Sequence, residues 1–223
     1  MIYLLDTANV DDIKKAMDLY PVSGVTTNPS IITKEKRDFL EILKDIREVI
    51  GKDAMLHVQT LSETYEGIIE EAHYLREQID GELYIKIPVT AQGIKAIRQL
   101  KKEGYNITAT ALITASQALM AATAGADFAA PYVNRIDDIS GNGVQVVKEI
   151  LRQYKLYGLK TKVLAASFKN IQQISEVSSF GVDSITVPLK LLEKSIEHPL
   201  TDWSVEKFIS DWEEAYNRKT ILK

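Results

Sequence analysis

Short apolar runs alternate with longer segments of helical periodicity along the chain, and this alternation constrains the fold more than any other feature. Several runs are continuously apolar, which is typical of parallel strands covered on both faces. The eight runs are Ile2–Leu5, Gly24–Thr26, Met55–Gln59, Tyr84–Val89, Ile107–Leu112, Phe128–Val133, Val163–Ala166 and Ser184–Val187. Eight strands alternating with helices in 223 residues predict one α/β domain over 1–223.

The segments between the runs carry signals for the start and the end of helices. Asn9 precedes Asp11 and Asp12, a cap followed by acids in the first turn. Ser30 could likewise cap the short segment that begins at Ile31. Four glycines stand where a left-handed C-cap is favoured, namely Gly104, Gly125, Gly158 and Gly181. The chain therefore predicts a helix after most of the strands.

Two α/β architectures fit this pattern, a compact (β/α)8 TIM barrel and a doubly wound open sheet. No glycine-rich phosphate loop follows any run, which favours the barrel. A further helix over 201–217 exceeds the needs of the barrel, and its apolar side includes Trp203, Phe208 and Trp212. That helix could pack on a neighbouring subunit or on its own barrel, and the pattern favours neither.

Composition excludes several classes of protein. Twenty-seven basic and 31 acidic residues give a net charge of −4, which argues against nucleic acid as a partner. There is no cysteine, and the three histidines show no metal-ligand spacing, so we expect no metal. No run approaches the length of a membrane span and no apolar leader is present, so we expect a cytoplasmic protein without a membrane partner.

Lys86 is the most informative residue, because it interrupts the apolar run from Tyr84 to Val89. On a barrel strand both faces are covered, so its ammonium group would be desolvated and easier to deprotonate. A neutral amine can attack a carbonyl to give a Schiff base. The alternative is a lysine at a strand end that extends to solvent.

Other polar side chains stand at the carboxyl ends of the runs, where barrel active sites are built. Asp6 ends the first run, Gln59 the third, and Thr110 lies in the fifth. A further group lies at the ends of the runs or just after them. In this group Tyr132 could move protons and Arg135 could bind a phosphate. It comprises Thr26, Asn28, Tyr132, Arg135, Ser167 and Lys169. Taken singly, each could be a turn residue, a packed side chain or a surface pair.

The order of these residues resembles the transaldolase-like family, which contains transaldolases and fructose-6-phosphate aldolases. The resemblance extends along essentially the whole chain and rests on two blocks, Thr26-Thr27-Asn28-Pro29-Ser30 and Lys86-Ile87-Pro88-Val89-Thr90. It implies a class I aldolase on a (β/α)8 barrel that needs no cofactor, because the lysine itself forms the covalent Schiff base.

The resemblance also implies roles for the site residues. Lys86 would bond to the ketose carbonyl, and Asp6 would move protons at a substrate hydroxyl. Thr26 and Asn28 would bind donor hydroxyls. Phosphate would lie on Ser167 and Arg135 with help from Lys169, where many transaldolases have arginine; lysine lacks the planar fork of arginine.

Gln59 and Tyr132 bear on which reaction the chain runs. Transaldolases typically have glutamate and phenylalanine at these two places, and the aldolase branch resembles this chain at both. We therefore expect cleavage of fructose 6-phosphate to dihydroxyacetone and glyceraldehyde 3-phosphate, and the reverse. Transaldolase, transferring a dihydroxyacetone unit between sugar phosphates in the pentose phosphate pathway, is the alternative.

Hypotheses from other classes fit less of the sequence. A sugar-phosphate binding protein would need no interior lysine, and a structural protein leaves Asp6, Lys86 and Tyr132 without a role. The family resemblance also implies a homo-oligomer, a decamer of two stacked pentamers, in which the C-terminal helix reaches a neighbour.

Overall fold

The computed structural model describes residues 1–222, and its centre is a closed barrel of parallel strands that follow one another in chain order. Within these residues the strands are β1 Ile2–Asp6, β2 Val22–Thr26, β3 Met55–Gln59, β4 Leu83–Pro88, β5 Asn106–Leu112, β6 Phe128–Pro131, β7 Lys162–Ala165 and β8 Ser184–Val187. β1 pairs with both β2 and β8, which closes the barrel. The predicted (β/α)8 barrel is confirmed.

Helices follow the strands along the chain. Within the described residues they are α1 Val10–Leu19, α2 Pro29–Ile32, α3 Phe39–Ile50, α4 Tyr65–Gln78, α5 Ala91–Lys102, α6 Ala115–Thr123, α7 Val133–Asp137, α8 Gly143–Tyr157, α9 Ile171–Ser179, α10 Leu189–Lys194 and α11 Pro199–Tyr216, with a 3-10 turn at Thr33–Glu35.

The start of α1 follows the local signal of the sequence, and the start of α2 does not. Asn9 accepts hydrogen bonds from the backbone of Asp11 and Asp12, as predicted. The predicted capping residue Ser30 is wrong, because the Asn28 side chain accepts the bond from Ile31 N and caps α2. Pro29 then occupies the first helical position, where its missing N–H costs nothing.

β6 is shorter than the predicted run Phe128–Val133. It ends at Pro131, after which Tyr132 forms a single bridge to Ala166 and Val133 begins α7. The Tyr132 N–H still donates a hydrogen bond to Leu112 O at 3.0 Å, so the chain leaves the sheet directly after Tyr132 and turns into a helix. This early exit places the Tyr132 side chain at the mouth of the barrel.

Side chains alternate between the two faces of the strands and form two cores, one between the sheet and the helices and one inside the barrel. Ile85 and Ile87 of β4 are fully buried on the outer face of the sheet, opposite to the face that carries Lys86. The interior holds a cluster of Leu4, Met55, Phe128, Ala130 and Leu164. His57 stacks on Tyr84 in the same interior, with ring centroids 4.5 Å apart. These side chains fill the lower barrel, so the open space lies at the carboxyl ends of the strands.

The chain divides into two compact units, and the barrel belongs to the first, Met1–Leu191. The second begins at Leu192 and contains α11. α11 starts two residues before the predicted 201, because His198 caps the helix and Pro199 fills its first turn. No residue of α11 is buried, and Trp203 and Phe208 are 60% and 70% exposed.

Within residues 1–222, no helix combines the length and the apolarity needed to cross a bilayer.

Candidate active site

A polar cavity of about 90 Å³ lies at the carboxyl ends of the strands. Every site residue predicted from the sequence lines it except Gln59 and Lys169. Its wall consists of Asp6, Thr26, Asn28, Lys86, Thr110, Ala130, Tyr132, Arg135, Leu164, Ala166, Ser167 and Thr186. These residues come from strands β1, β2, β4, β5, β6, β7 and β8, from the loops after them and, for Arg135, from α7, so the closed barrel brings together side chains that are far apart in sequence.

Lys86 lies on the inner face of β4, and its side chain reaches the cavity. The residue is only 6% exposed, and Nζ donates a hydrogen bond of 2.6 Å to Thr27 O. A backbone carbonyl accepts this bond without neutralising an ammonium group. Burial lowers the pKa of Lys86, and the opposing charge of Asp6 offsets only part of that effect. The neutral, nucleophilic form of the amine is therefore favoured relative to an exposed lysine.

Asp6 ends β1 at the rim of the same cavity. Its Oδ1 accepts a hydrogen bond of 2.7 Å from the Thr26 hydroxyl, and that hydroxyl lies 2.7 Å from Thr186 Oγ1. The Thr26 hydroxyl on β2 thus holds the carboxylate, and the Thr186 hydroxyl on β8 holds Thr26. The carboxylate is near enough to raise the pKa of Lys86 by its charge.

Thr110 and Tyr132 form the opposite side of the cavity. Thr110 Oγ1 lies 3.0 Å from the Tyr132 phenol, so the two hydroxyls share a hydrogen bond. The Arg135 guanidinium lies over the Tyr132 ring, 4.7 Å from its centroid. A phenol next to a hydroxyl can donate to and accept from a substrate oxygen or a water molecule.

Ser167 and Arg135 provide groups for an anion. Ser167 has a left-handed backbone (φ 62°), and its carbonyl accepts a hydrogen bond from Asn134 N at 2.9 Å. Arg135 is exposed on α7 and lines the same cavity. A hydroxyl and a planar guanidinium at one rim suit a phosphate.

Asn28 contributes an amide from the second loop. Its Oδ1 accepts from Ile31 N at 3.1 Å, and this bond fixes the orientation of the side chain. The other end of the amide carries two N–H donors and can bind a substrate hydroxyl.

Gln59 and Lys169 lie elsewhere. Gln59 is the register partner of Lys86 on β3, but it lines a second, largely apolar cavity of about 360 Å³, together with Ile32, Phe39 and Leu75. Its Oε1 is buried without a hydrogen bond. Lys169 is exposed, and its backbone N–H donates to Gln173 Oε1 at 2.9 Å.

Sequence reasoning missed two polar residues of the interior. Thr186 lines the cavity and holds Thr26, and it could have been found as a polar residue in an apolar run, like Thr110. His57 is fully buried, and its Nδ1 lies 2.8 Å from Thr108 Oγ1. Burial and the charge of Lys86 hold the pKa of His57 well below its usual value.

Among residues 1–222, no three potential metal ligands come together.

Comparison with known proteins identifies the relatives of this chain. The family model described as transaldolase/fructose-6-phosphate aldolase matches residues 3–221. A probable transaldolase of Kosmotoga olearia is 43% identical over 100% of both chains. A probable fructose-6-phosphate aldolase of Streptococcus pneumoniae is 40% identical over 99% of this chain and 100% of its own.

A solved structure shares the fold at much lower sequence identity. A flavocytochrome b2 mutant with benzoylformate superposes with a TM-score of 0.60 at 12% identity, covering 84% of this chain and 57% of that one. This likeness concerns the barrel alone. The family model and the relatives of about 40% identity show that the chain belongs to the transaldolase/fructose-6-phosphate aldolase family and is an enzyme.

Proposed function

We propose that this chain is a Schiff-base aldolase that cleaves fructose 6-phosphate to dihydroxyacetone and glyceraldehyde 3-phosphate, and catalyses the reverse. The observation that carries the proposal is the buried Lys86 amine, which lies at a polar cavity and has a lowered pKa. An amine in this setting attacks carbonyls, and the reaction needs no cofactor because the lysine supplies the covalent chemistry.

The reaction begins when Lys86 Nζ bonds to C2 of the ketose. The resulting carbinolamine loses its hydroxyl as water and becomes an iminium ion. Removal of the proton from the C4 hydroxyl then breaks the bond between C3 and C4. The electron pair of that bond moves into the iminium to form an enamine, and glyceraldehyde 3-phosphate leaves. Protonation of the enamine at C3 and addition of water at C2 release dihydroxyacetone and the free lysine.

Asp6 is the proposed base for the C4 hydroxyl. Its carboxylate lines the cavity with Lys86 and is held in one orientation by Thr26. A carboxylate within reach of a substrate hydroxyl can accept a proton and return it in the reverse reaction. The Thr110–Tyr132 pair would hold the water that enters at C2. Gln59, which lines the second cavity, would act on this water only after its side chain turns toward Lys86, its register partner.

The phosphate would bind at the rim formed by Arg135 and Ser167. Lys169 is exposed in the same loop as Ser167 and would add positive charge without the fork of an arginine. Asn28 and Thr26 would bind hydroxyls of the dihydroxyacetone part.

Transaldolase is the second candidate, and the names of relatives favour it. The relative from Kosmotoga olearia is named probable transaldolase. The phenol of Tyr132 supports the aldolase, because a second hydroxyl beside Thr110 can hold the water that hydrolyses the adduct.

One assay separates the two activities. The protein is given fructose 6-phosphate without an acceptor aldehyde, and release of glyceraldehyde 3-phosphate is followed. An aldolase releases many equivalents per active site, whereas a transferase stops near one equivalent because the donor stays on the lysine. A release that ends at one equivalent would replace our proposal with transaldolase.

We further propose that the protein acts in the cytoplasm as a homo-oligomer, a decamer by family resemblance, with a sugar phosphate as its small-molecule partner. Exposed Trp203 and Phe208 on α11 support association with another copy.

A further inference from the structure

Ala111 has a backbone conformation that L-amino acids rarely adopt. It lies inside β5 with φ 56°, in the left-handed region. Alanine has no polar side chain to compensate for this conformation, unlike asparagine or aspartate. A strained residue inside a barrel strand, next to a cavity, points to a functional requirement.

The conformation of Ala111 creates a bulge in β5. Ala109 pairs with Ala129 and Leu112 pairs with Pro131, so three steps along β5 match two steps along β6. The extra residue changes the parity of the strand. Thr110 lines the cavity, while Leu112, which simple alternation would place on the same face, is fully buried and does not line it.

Hydrogen bonds fix both sides of the bulge. The carbonyl of Thr110 accepts from Val89 N at 3.0 Å, on the β4 side. The carbonyl of Leu112 accepts from Tyr132 N at 3.0 Å, on the β6 side. The bulge therefore sets the position of Thr110 relative to Tyr132, whose side-chain oxygens lie 3.0 Å apart.

We infer that Ala111 is a positioning residue, whose left-handed conformation holds the Thr110 hydroxyl against the Tyr132 phenol. The inference rests on the proposed function, in which this pair holds the water that hydrolyses the Schiff base. It adds to that function a backbone feature that places another side chain.

Substitutions at Ala111 test the inference through conformation rather than size. Asparagine and valine have similar volumes, but asparagine tolerates left-handed φ and a β-branched residue does not. We expect fructose 6-phosphate cleavage by Ala111→Gly and Ala111→Asn to fall by less than threefold. We expect Ala111→Val to lose at least tenfold, because relaxation toward a regular strand moves Thr110 away from Tyr132.

A double substitution separates positioning from a general loss of structure. If Ala111 acts through Thr110, Ala111→Val should cost less than twofold more in a Thr110→Ala background. An equal loss of cleavage activity in both backgrounds would overturn the inference. A tenfold loss of activity in a folded Ala111→Asn protein would also overturn it. This second test applies even if the valine variant does not fold. Failure of the unchanged protein to cleave fructose 6-phosphate would instead reject the proposed function.

Discussion

Lys86 combines two properties that oppose each other in most proteins, burial and the ability to carry charge. The interior of the barrel removes water from the amine, and the backbone carbonyl of Thr27 orients it without pairing its charge. A charged form in this position is costly, so burial lowers the pKa of the group. The cost to folding and the gain in nucleophilicity therefore have the same cause.

Replacement of Lys86 by methionine should abolish turnover and stabilise the fold. We expect the free energy of unfolding at pH 7 to rise by about 1–2 kcal/mol, since an apolar side chain of similar length avoids the desolvation of an ammonium group. Chemical denaturation measures this difference. Lys169→Met is the control, because Lys169 is exposed and its loss should change stability by less than about 0.5 kcal/mol.

The difference in the free energy of unfolding between the unchanged protein and Lys86→Met should depend on pH. Between the lowered pKa of folded Lys86 and the ordinary value of 10.5, the unfolded lysine binds more protons than the folded one, so stability rises with pH. The advantage of Lys86→Met should be constant below this window and should shrink as pH rises through it. A difference that stays the same from pH 6 to pH 10 would contradict the lowered pKa.

Tyr132→Phe should shift the reaction from cleavage toward transfer. The change removes the hydroxyl 3.0 Å from Thr110 and leaves the ring that lies under Arg135. Hydrolysis of the adduct then slows while attack on an aldehyde continues, so the ratio of cleavage to transfer should fall several-fold. Product analysis with and without an acceptor aldose phosphate gives the ratio, with the exposed Tyr157→Phe as control. An unchanged ratio would count against a role for the phenol.

Among the elements, α3 is joined to the start of two strands by one buried side chain. Arg47 donates to Gly51 O at 2.6 Å, Ala54 O at 2.8 Å and Glu82 O at 3.0 Å. These carbonyls lie at the end of α3 and just before β3 and β4. Arg47 thus connects α3 to the loops before β3 and β4, at the amino-terminal end of the barrel, opposite the cavity.

Arg47→Met should destabilise the fold by about 2–4 kcal/mol, because three carbonyls lose charged donors in a buried place. Thermal or chemical unfolding measures the loss, and kcat should not change, since the cavity is at the other end of the barrel. Arg37→Met is a matched control: its exposed pair with Asp45 should contribute less than about 1 kcal/mol. Equal losses in the two variants would show that the buried bonds are not stabilising.

The sequence predicts the strands better than their irregularities. Continuous apolar runs located β3 and β8 at the bounds that the structure has. The bulge at Ala111 and the early end of β6 could not be predicted, because both depend on hydrogen bonds to neighbouring strands that are distant in sequence. For the same reason, the sequence does not tell which of two cavities the Gln59 side chain lines.

At the scale of the whole molecule, α11 is the element that the barrel does not explain. Its apolar side chains Trp203, Val205 and Phe208 are more than half exposed, which is unfavourable in water unless another surface covers them. We expect Trp203→Glu combined with Phe208→Glu to reduce the mass of the oligomer in light scattering. Glu206→Gln on the same helix is the control and should leave the mass unchanged. A monomeric parent protein, or a double variant of full mass, would contradict the proposed role of α11.

Covalent trapping tests the nucleophile itself. The protein is incubated with dihydroxyacetone and borohydride, digested, and its peptides are weighed by mass spectrometry. The reduced adduct should appear on the peptide that contains Lys86 and should be missing from the Lys86→Met protein. An adduct on another lysine such as Lys169, or none in a protein that still cleaves fructose 6-phosphate, would show that Lys86 is not the residue that forms the Schiff base.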